Sequence, residues 1–313
     1  MKIALIGASS FVGKNIVEYI DTNIKNCELY ATYNKNSNFD QNLSIKSKNL
    51  NLTKINLNFE KNILELNFIE NSDLIIFVAG ISKPKKISLE EYNIINVNGL
   101  HKILQKITNK QKLVVISSTE AVGPNLNEKP FYENQECNPP SNYGKSKLQM
   151  EKLCLEYISK GYDINIIRPT TIFGKYDKEF LKFFKLNKLR IFPLRSEKKC
   201  IEYLHVSDLI KLIFFMYTNK ISSGIYNISS KNKISLNDIL ENIEKKTQRS
   251  WSKVYLPKTL MKVFFKKTVL RLTEFYFNSS SLKIEQAGFK FNTKTFDEYV
   301  SEVYNHIKKN EQI

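Results

Sequence analysis

The stretch Lys2-Ile3-Ala4-Leu5-Ile6-Gly7-Ala8-Ser9-Ser10-Phe11-Val12-Gly13 decides the architecture of this chain. Its apolar run at residues 3–6 reads as a strand buried on both faces. Gly7 and Gly13 then frame a tight turn, and residues 12–20 carry apolar side chains at three- and four-residue spacing, the period of a helix. Strand, glycine turn and helix in that order form the fingerprint of a dinucleotide-binding unit. The physics is electrostatic: the turn aims helix N–H groups and the positive dipole end at a pyrophosphate. Gly7 permits the turn and Gly13 lets helix and strand pack closely. Ser10 stands where a middle glycine is usual, so close backbone approach is less free there.

Working outward, short apolar runs recur at residues 29–32, 74–78, 113–116 and 164–167, and read as further buried parallel strands. Residues 89–107 and 143–158 show helical periodicity between them. The alternation predicts an α/β fold, a Rossmann-type doubly wound parallel sheet. After Arg168-Pro169 it degrades, with Pro193 and Pro257 among mixed helices, which marks a smaller, mixed C-terminal substrate-binding lobe. The expected division is a dinucleotide-binding domain over 1–168, with 205–228 returning to it, and a substrate lobe over 169–204 and 229–313.

With 313 residues and 42% hydrophobic content, the chain can bury a sizeable core, which excludes disordered and fibrous classes. The net charge of +17 raises a nucleic-acid reading, but the charge is mostly lysine, is spread along the chain and accompanies no groove-reading motif. A basic surface suits an anionic diphosphate instead. The sequence opens directly on a strand with no leader, and residues 260–277 are interrupted by Lys266, Lys267 and Arg271, so a cytoplasmic protein without stable membrane insertion is expected. Cys27, Cys137, Cys154 and Cys200 lie far apart with no CxxC pair and read as free thiols, with no metal site.

The second strand ends Thr32-Tyr33-Asn34-Lys35, without the carboxylate that accepts hydrogen bonds from the ribose hydroxyls of NAD. Lys35 is placed to face a 2'-phosphate, so NADP(H) is favoured over NAD(H). Further on, Tyr143-Gly144-Lys145-Ser146-Lys147 sets a tyrosine and a lysine four apart, on one helix face. A phenol titrates near pH 10 and is a poor base at neutrality until a cation stabilises its anion, which Lys147 would do. Ser117-Ser118-Thr119, after the preceding strand, supplies a hydroxyl for the reacting oxygen.

With these residues in place, the chain resembles the extended short-chain dehydrogenase/reductase family, the nucleotide-sugar epimerases, dehydratases and reductases. The resemblance runs through Val78-Ala79-Gly80, Asn96-Val97-Asn98-Gly99, Ser117-Ser118-Thr119-Glu120-Ala121-Val122, Arg168-Pro169-Thr170-Thr171-Ile172-Phe173-Gly174, Tyr203-Leu204-His205-Val206-Ser207-Asp208 and Tyr226-Asn227-Ile228. It implies that Thr119, Tyr143 and Lys147 are catalytic, with Lys147 also holding the nicotinamide ribose. Gly7, Ser10, Phe11, Val12, Gly13, Asn34, Lys35, Val78, Ala79, Gly80, Asn96, Tyr143 and Lys147 would bind cofactor, and Thr119, Glu120, Thr171 and Arg271 the substrate. His205 and Asp208 read as structural links between the lobes. An arginine common four positions before that histidine is Ile201 here, so Lys198, Lys199 or Arg271 would have to serve the diphosphate. Members of the family often form dimers.

Three reactions share this scaffold. Ala121 stands where the 4,6-dehydratases carry a second carboxyl, which argues against dehydration. The C-terminal stretch over 256–289 looks like that of the reductases of 4-keto-6-deoxyhexose nucleotides, which make deoxysugars for surface polysaccharide such as O-antigen. NADPH-dependent reduction at C4 is the expected reaction. A 4-epimerase with tightly bound NAD is the alternative, and a non-catalytic dinucleotide sensor is the alternative of another class.

Overall fold

The computed structural model of the protein describes residues 1–34, 50–57, 66–81, 87–124, 130–188, 190–194, 200–230, 233–255 and 279–310. The first six strands are β1 (Lys2–Ile6), β2 (Cys27–Tyr33), β3 (Leu50–Asn56), β4 (Leu74–Phe77), β5 (Lys112–Ile116) and β6 (Asp163–Pro169). They are followed by β7 (Thr171–Phe173), β8 (Ile191–Leu194), β9 (Cys200–His205), β10 (Gly224–Ile228), β11 (Lys233–Ser235) and β12 (Ser252–Tyr255).

Seven of these strands build one sheet in the order β10-β6-β5-β4-β1-β2-β3, with every pairing parallel. This is the doubly wound, Rossmann-type sheet the apolar runs predict. Strand order reverses between β1 and β4, and such a switch point opens a crevice at the carboxyl ends of the two strands. Because successive side chains in a strand point to opposite faces, Ile3 and Leu5 join one core with Ile16, Ile20, Leu209 and Ile213. Ala4 and Ile6 join another with Leu100, Ile103, Met150 and Cys154. The helices Phe11–Asn23 and Val206–Thr218 cover the first face; Gly99–Leu104 and Asn142–Ser159 cover the second.

Within this sheet one strand escapes sequence patterning. Among the described residues the edge strand β3 pairs with β2 alone, and it has no fully buried residue. Its polar residues Asn51, Thr53, Lys54 and Asn56 suppress the apolar signal by which the central strands are read.

The remaining strands are mixed, as expected. β9 runs antiparallel to β11 and parallel to β7, while β8 pairs in parallel with β12. Phe173, Phe184, Tyr203, Leu240, Trp251 and Val300 form a third core there. His205 caps the Val206–Thr218 helix, its Nδ1 2.7 Å from the Ser207 hydroxyl, and its ring stacks on Tyr299 at 3.9 Å. The Tyr299 hydroxyl donates to Asp208 Oδ2 at 3.0 Å, and the Asn292 amide donates to Asp208 Oδ1 at 2.8 Å. His205 and Asp208 thus tie the Val206–Thr218 helix to the C-terminal helix Phe296–Lys309. Burial pushes the His205 imidazole down to about 4, so it is neutral at pH 7.

Candidate active site

The turn after β1 is built by exclusion of side chains. A Cβ on Gly7, whose φ is +99°, would lie 2.7 Å from the Ala79 backbone, and one on Gly13 would lie 2.3 Å from the Gly7 carbonyl. The first closeness seats the turn against the segment leaving β4; the second presses the helix onto the turn. Ser10 has a role that the missing middle glycine would not perform: its hydroxyl accepts from the Gly13 amide at 3.0 Å and caps the Phe11–Asn23 helix. The amides of Phe11 and Val12 open the helix without an intrahelical partner. Below the turn, the Thr32 hydroxyl accepts from the Gly7 amide at 3.0 Å. A bare, positively polarised cradle at the switch point fits a dinucleotide pyrophosphate.

From Gly80 the contacts run directly to the lysine. A Cβ on Gly80 would meet Asn96 Oδ1 at 3.1 Å and Lys147 Nζ at 3.5 Å. Asn96 is fully buried in a π turn, Ile94–Asn98, inserted in the helix that spans 89–104. It accepts from the Ile81 amide at 3.1 Å and donates to the Ser146 hydroxyl at 2.9 Å. π turns of this kind gather at functional sites.

Tyr143 and Lys147 occupy the first turns of the Asn142–Ser159 helix, capped by Ser141, which accepts from the Gly144 amide at 2.9 Å. Lys147 Nζ donates to the Ile116 carbonyl at 2.8 Å and lies 5.8 Å from the centre of the Tyr143 ring. Burial pushes the Lys147 ammonium down to about 8, against an upward pull from Glu151. Tyr143 is half-buried, its ring 5.8 Å from that of Tyr92. Gly144 brings this helix against the turn Thr119–Ala121, since a Cβ there would lie 2.3 Å from the Glu120 carbonyl. Thr119 is buried beside it, and the Glu120 carboxylate accepts from the Ser141 hydroxyl at 2.9 Å.

The structure therefore brings together Gly7, Ser10, Phe11, Val12, Gly13, Ala79, Gly80, Asn96, Thr119, Glu120, Tyr143 and Lys147, with Val78 directly before Ala79. Asn34 is exposed after β2, and Thr171 is exposed at the start of β7. Lys35, Lys198, Lys199 and Arg271 lie outside the described residues, as does the stretch over 256–278. Sequence reasoning gave no role to Ser146, Glu151 or Arg168. Glu151 was findable, since it continues the four-residue spacing of Tyr143 and Lys147 as a carboxylate within an apolar face. Among the described residues no cluster of three or more His, Cys, Asp or Glu side chains is arranged to hold a metal, and no helix is long and apolar enough to cross a membrane.

A glycine cradle at the switch point with a tyrosine and a buried lysine one helical turn apart beside it is the arrangement of the extended short-chain dehydrogenases/reductases. Within that class, the chain belongs to the NAD dependent epimerase/dehydratase family, which it matches over residues 3–229. It is 26% identical over 267 residues to the N-acetyl-α-D-glucosaminyl-diphospho-ditrans,octacis-undecaprenol 4-epimerase of Escherichia coli O157:H7, covering 82% of this chain and 75% of that one. The UDP-N-acetylglucosamine 4-epimerase of Methanobrevibacter ruminantium M1, solved with UDP-N-acetylmuramic acid, superposes with a TM-score of 0.81 at 16% identity, over 100% of this chain and 99% of that one. The dTDP-glucose 4,6-dehydratase of Bacillus anthracis, solved with NAD, gives a TM-score of 0.80 at 19% identity, over 100% and 98% of the two chains. At such identities the superpositions establish the fold.

Proposed function

We propose that this protein is a 4-epimerase of a hexose carried on a diphosphate, with NAD as its resident cofactor. The observation that carries the reading is the pairing of Tyr143 with buried Lys147 beside the glycine cradle. It is supported by the 4-epimerase relative that shares 82% of the chain. When bound, the dinucleotide supplies reversible hydride exchange at its nicotinamide. Tyr143 takes the proton of the C4 hydroxyl as that carbon is oxidised and returns it, after the sugar has turned, when the carbon is reduced. Lys147 holds the phenolate by its charge. The Thr119 hydroxyl orients the C4 oxygen, while Glu120 and Thr171 stand on the sugar's side. Ala121 leaves the site without the second carboxyl that water elimination needs.

A second reading is net reduction of a nucleotide-linked 4-keto-6-deoxyhexose by NADPH. Asn34, in place of a ribose-binding carboxylate, favours it. Its other supports, Lys35 and most of the stretch over 256–289, fall outside the described residues, and the relatives favour the epimerase. Purified protein, assayed for bound NAD, is incubated with UDP-N-acetylglucosamine and with polyprenyl-diphospho-N-acetylglucosamine. Epimerase chemistry yields the 4-epimer without net change in cofactor. Loss of NADPH absorbance in step with an added 4-keto sugar nucleotide, with neither acetylglucosamine compound converted, establishes the reductase. Dinucleotide binding with no turnover of any substrate marks a sensor.

A further inference from the structure

We infer that the buried ion pair Glu151–Arg168 is a positioning device that keeps Lys147 charged and, through it, sets the acidity of Tyr143. Tyr143, Lys147 and Glu151 succeed one another at four-residue intervals along one face of the Asn142–Ser159 helix, with Lys147 4% and Glu151 1% exposed. A lysine and a glutamate so spaced are within reach of a direct salt bridge. Here they do not form one, because the carboxylate is engaged from the other side. Arg168, on β6 and 2% exposed, donates from Nε to Glu151 Oε1 at 3.0 Å and from its terminal nitrogen to Oε2 at 2.7 Å. The Ser117 hydroxyl, at the end of β5, also donates to Oε1. Arg168 is itself fixed by the Glu133 carbonyl at 3.3 Å and Cys137 Sγ at 3.4 Å.

The consequence is a division of labour. Held by Arg168, the carboxylate does not draw the ammonium down the helix, so Lys147 Nζ stays on the Ile116 carbonyl and within reach of the Tyr143 ring. Yet its negative charge remains one turn away in a dry interior, where screening is weak. An ammonium whose hydrogen-bond acceptor is a neutral carbonyl depends on that charge to keep its proton. The titratable and charged groups around the pair are Tyr143, Lys152 and Cys154 on the same helix, Arg168 from β6, Glu133 and Cys137 from the loop before the helix, and Lys283, which acts on Arg168 from the helix Leu282–Gln286. Burial raises both thiols, so neither supplies a negative charge at neutral pH. This rests on Tyr143 and Lys147 being the reacting pair, whichever sugar reaction they serve.

The test needs no substrate. The phenolate absorbance of Tyr143 is isolated by subtracting the titration of a Tyr143→Phe chain from that of its parent. In Glu151→Gln, nearly isosteric, Lys147 loses its proton at a lower pH than in the unmodified chain, and Tyr143 reverts toward an ordinary phenol. Its phenolate then appears about one pH unit higher than in the unmodified chain. Glu151→Asp, which restores the charge, recovers most of the difference. Should Glu151→Gln fail to fold, the paired Glu151→Met/Arg168→Met chain replaces the ion pair by apolar side chains of similar volume; it shows a smaller change in the same direction. An unmoved Tyr143 titration in either folded variant overturns the inference and leaves the pair a structural tie. Absence of epimerisation by the unmodified chain counts against the 4-epimerase reading and leaves the phenolate titration to decide this one.

Discussion

Replacing Tyr143 by phenylalanine keeps its ring beside Tyr92 and removes the hydroxyl on which the proposed chemistry turns. Turnover of Tyr143→Phe should fall by a factor on the order of 100 to 10,000, the range for a general acid-base group. Cofactor binding, read by fluorescence, and the melting temperature should stay near those of the unmodified chain; near-normal turnover would remove Tyr143 from the reaction. His205 makes a different kind of prediction. Its imidazole is held down to about 4 by burial, whereas in the unfolded chain it titrates near 6.5. The unfolded state therefore binds the extra proton first as pH falls. The stability this group contributes is complete above about 6.5 and drains away toward pH 4, by roughly 3 kcal/mol. Urea unfolding across that window should show the slope, and His205→Asn, which keeps a side-chain acceptor at the helix cap, should flatten it.

At the scale of elements, the glycine cradle and the serine cap respond to different substitutions. Gly13→Ala pushes a methyl into the Gly7 carbonyl, so the helix must lift off the strand. A loss of about 1–3 kcal/mol, typical of overpacking, should accompany a marked drop in dinucleotide affinity by calorimetry. Ser10→Ala should cost about 1 kcal/mol through the lost cap and Ser10→Gly only a few tenths. Equal losses for the two would show that the cap is not what the serine provides. These elements also mark where the sequence is legible. The runs Lys2–Ile6, Leu74–Phe77 and Lys112–Ile116 announce themselves because strands buried on both faces have little room for polar residues. The edge strand Leu50–Asn56 needs no such purity. Tyr143 and Lys147 are readable from spacing along one helix, but Arg168 meets Glu151 from a neighbouring strand, and pairings between elements leave no period to detect. The π turn at Ile94–Asn98 is equally silent in the sequence, since its geometry is set by what Asn96 must reach.

Across the whole molecule, two further places of contact among the described residues join His205 and Asp208 in fastening the sheet to the smaller lobe. Near the helix after the glycine turn, Asn15 donates to the Lys175 carbonyl at 2.8 Å, the Tyr176 hydroxyl donates to Glu18, and Lys175 pairs with Glu18 and Glu302 at 3.7 and 3.8 Å. At the other place, buried Glu202 of β9 accepts from the Ser229 hydroxyl at 2.8 Å and the Ser279 amide at 3.1 Å. Glu202→Ala leaves both donors unsatisfied and should cost about 1–3 kcal/mol. Limited proteolysis should then cut earliest near Ser279; unchanged stability and cleavage would show that this contact fastens nothing. The π turn carries a consequence on another timescale. An extra residue in a helix is an erasable one: losing a single codon there would straighten the helix and spare the two sheet cores while pulling Asn96 out of register with Ile81 and Ser146. Descent within such a lineage can thus loosen the Gly80–Asn96–Ser146 side of the candidate site in one genetic step, with the fold as the inherited part.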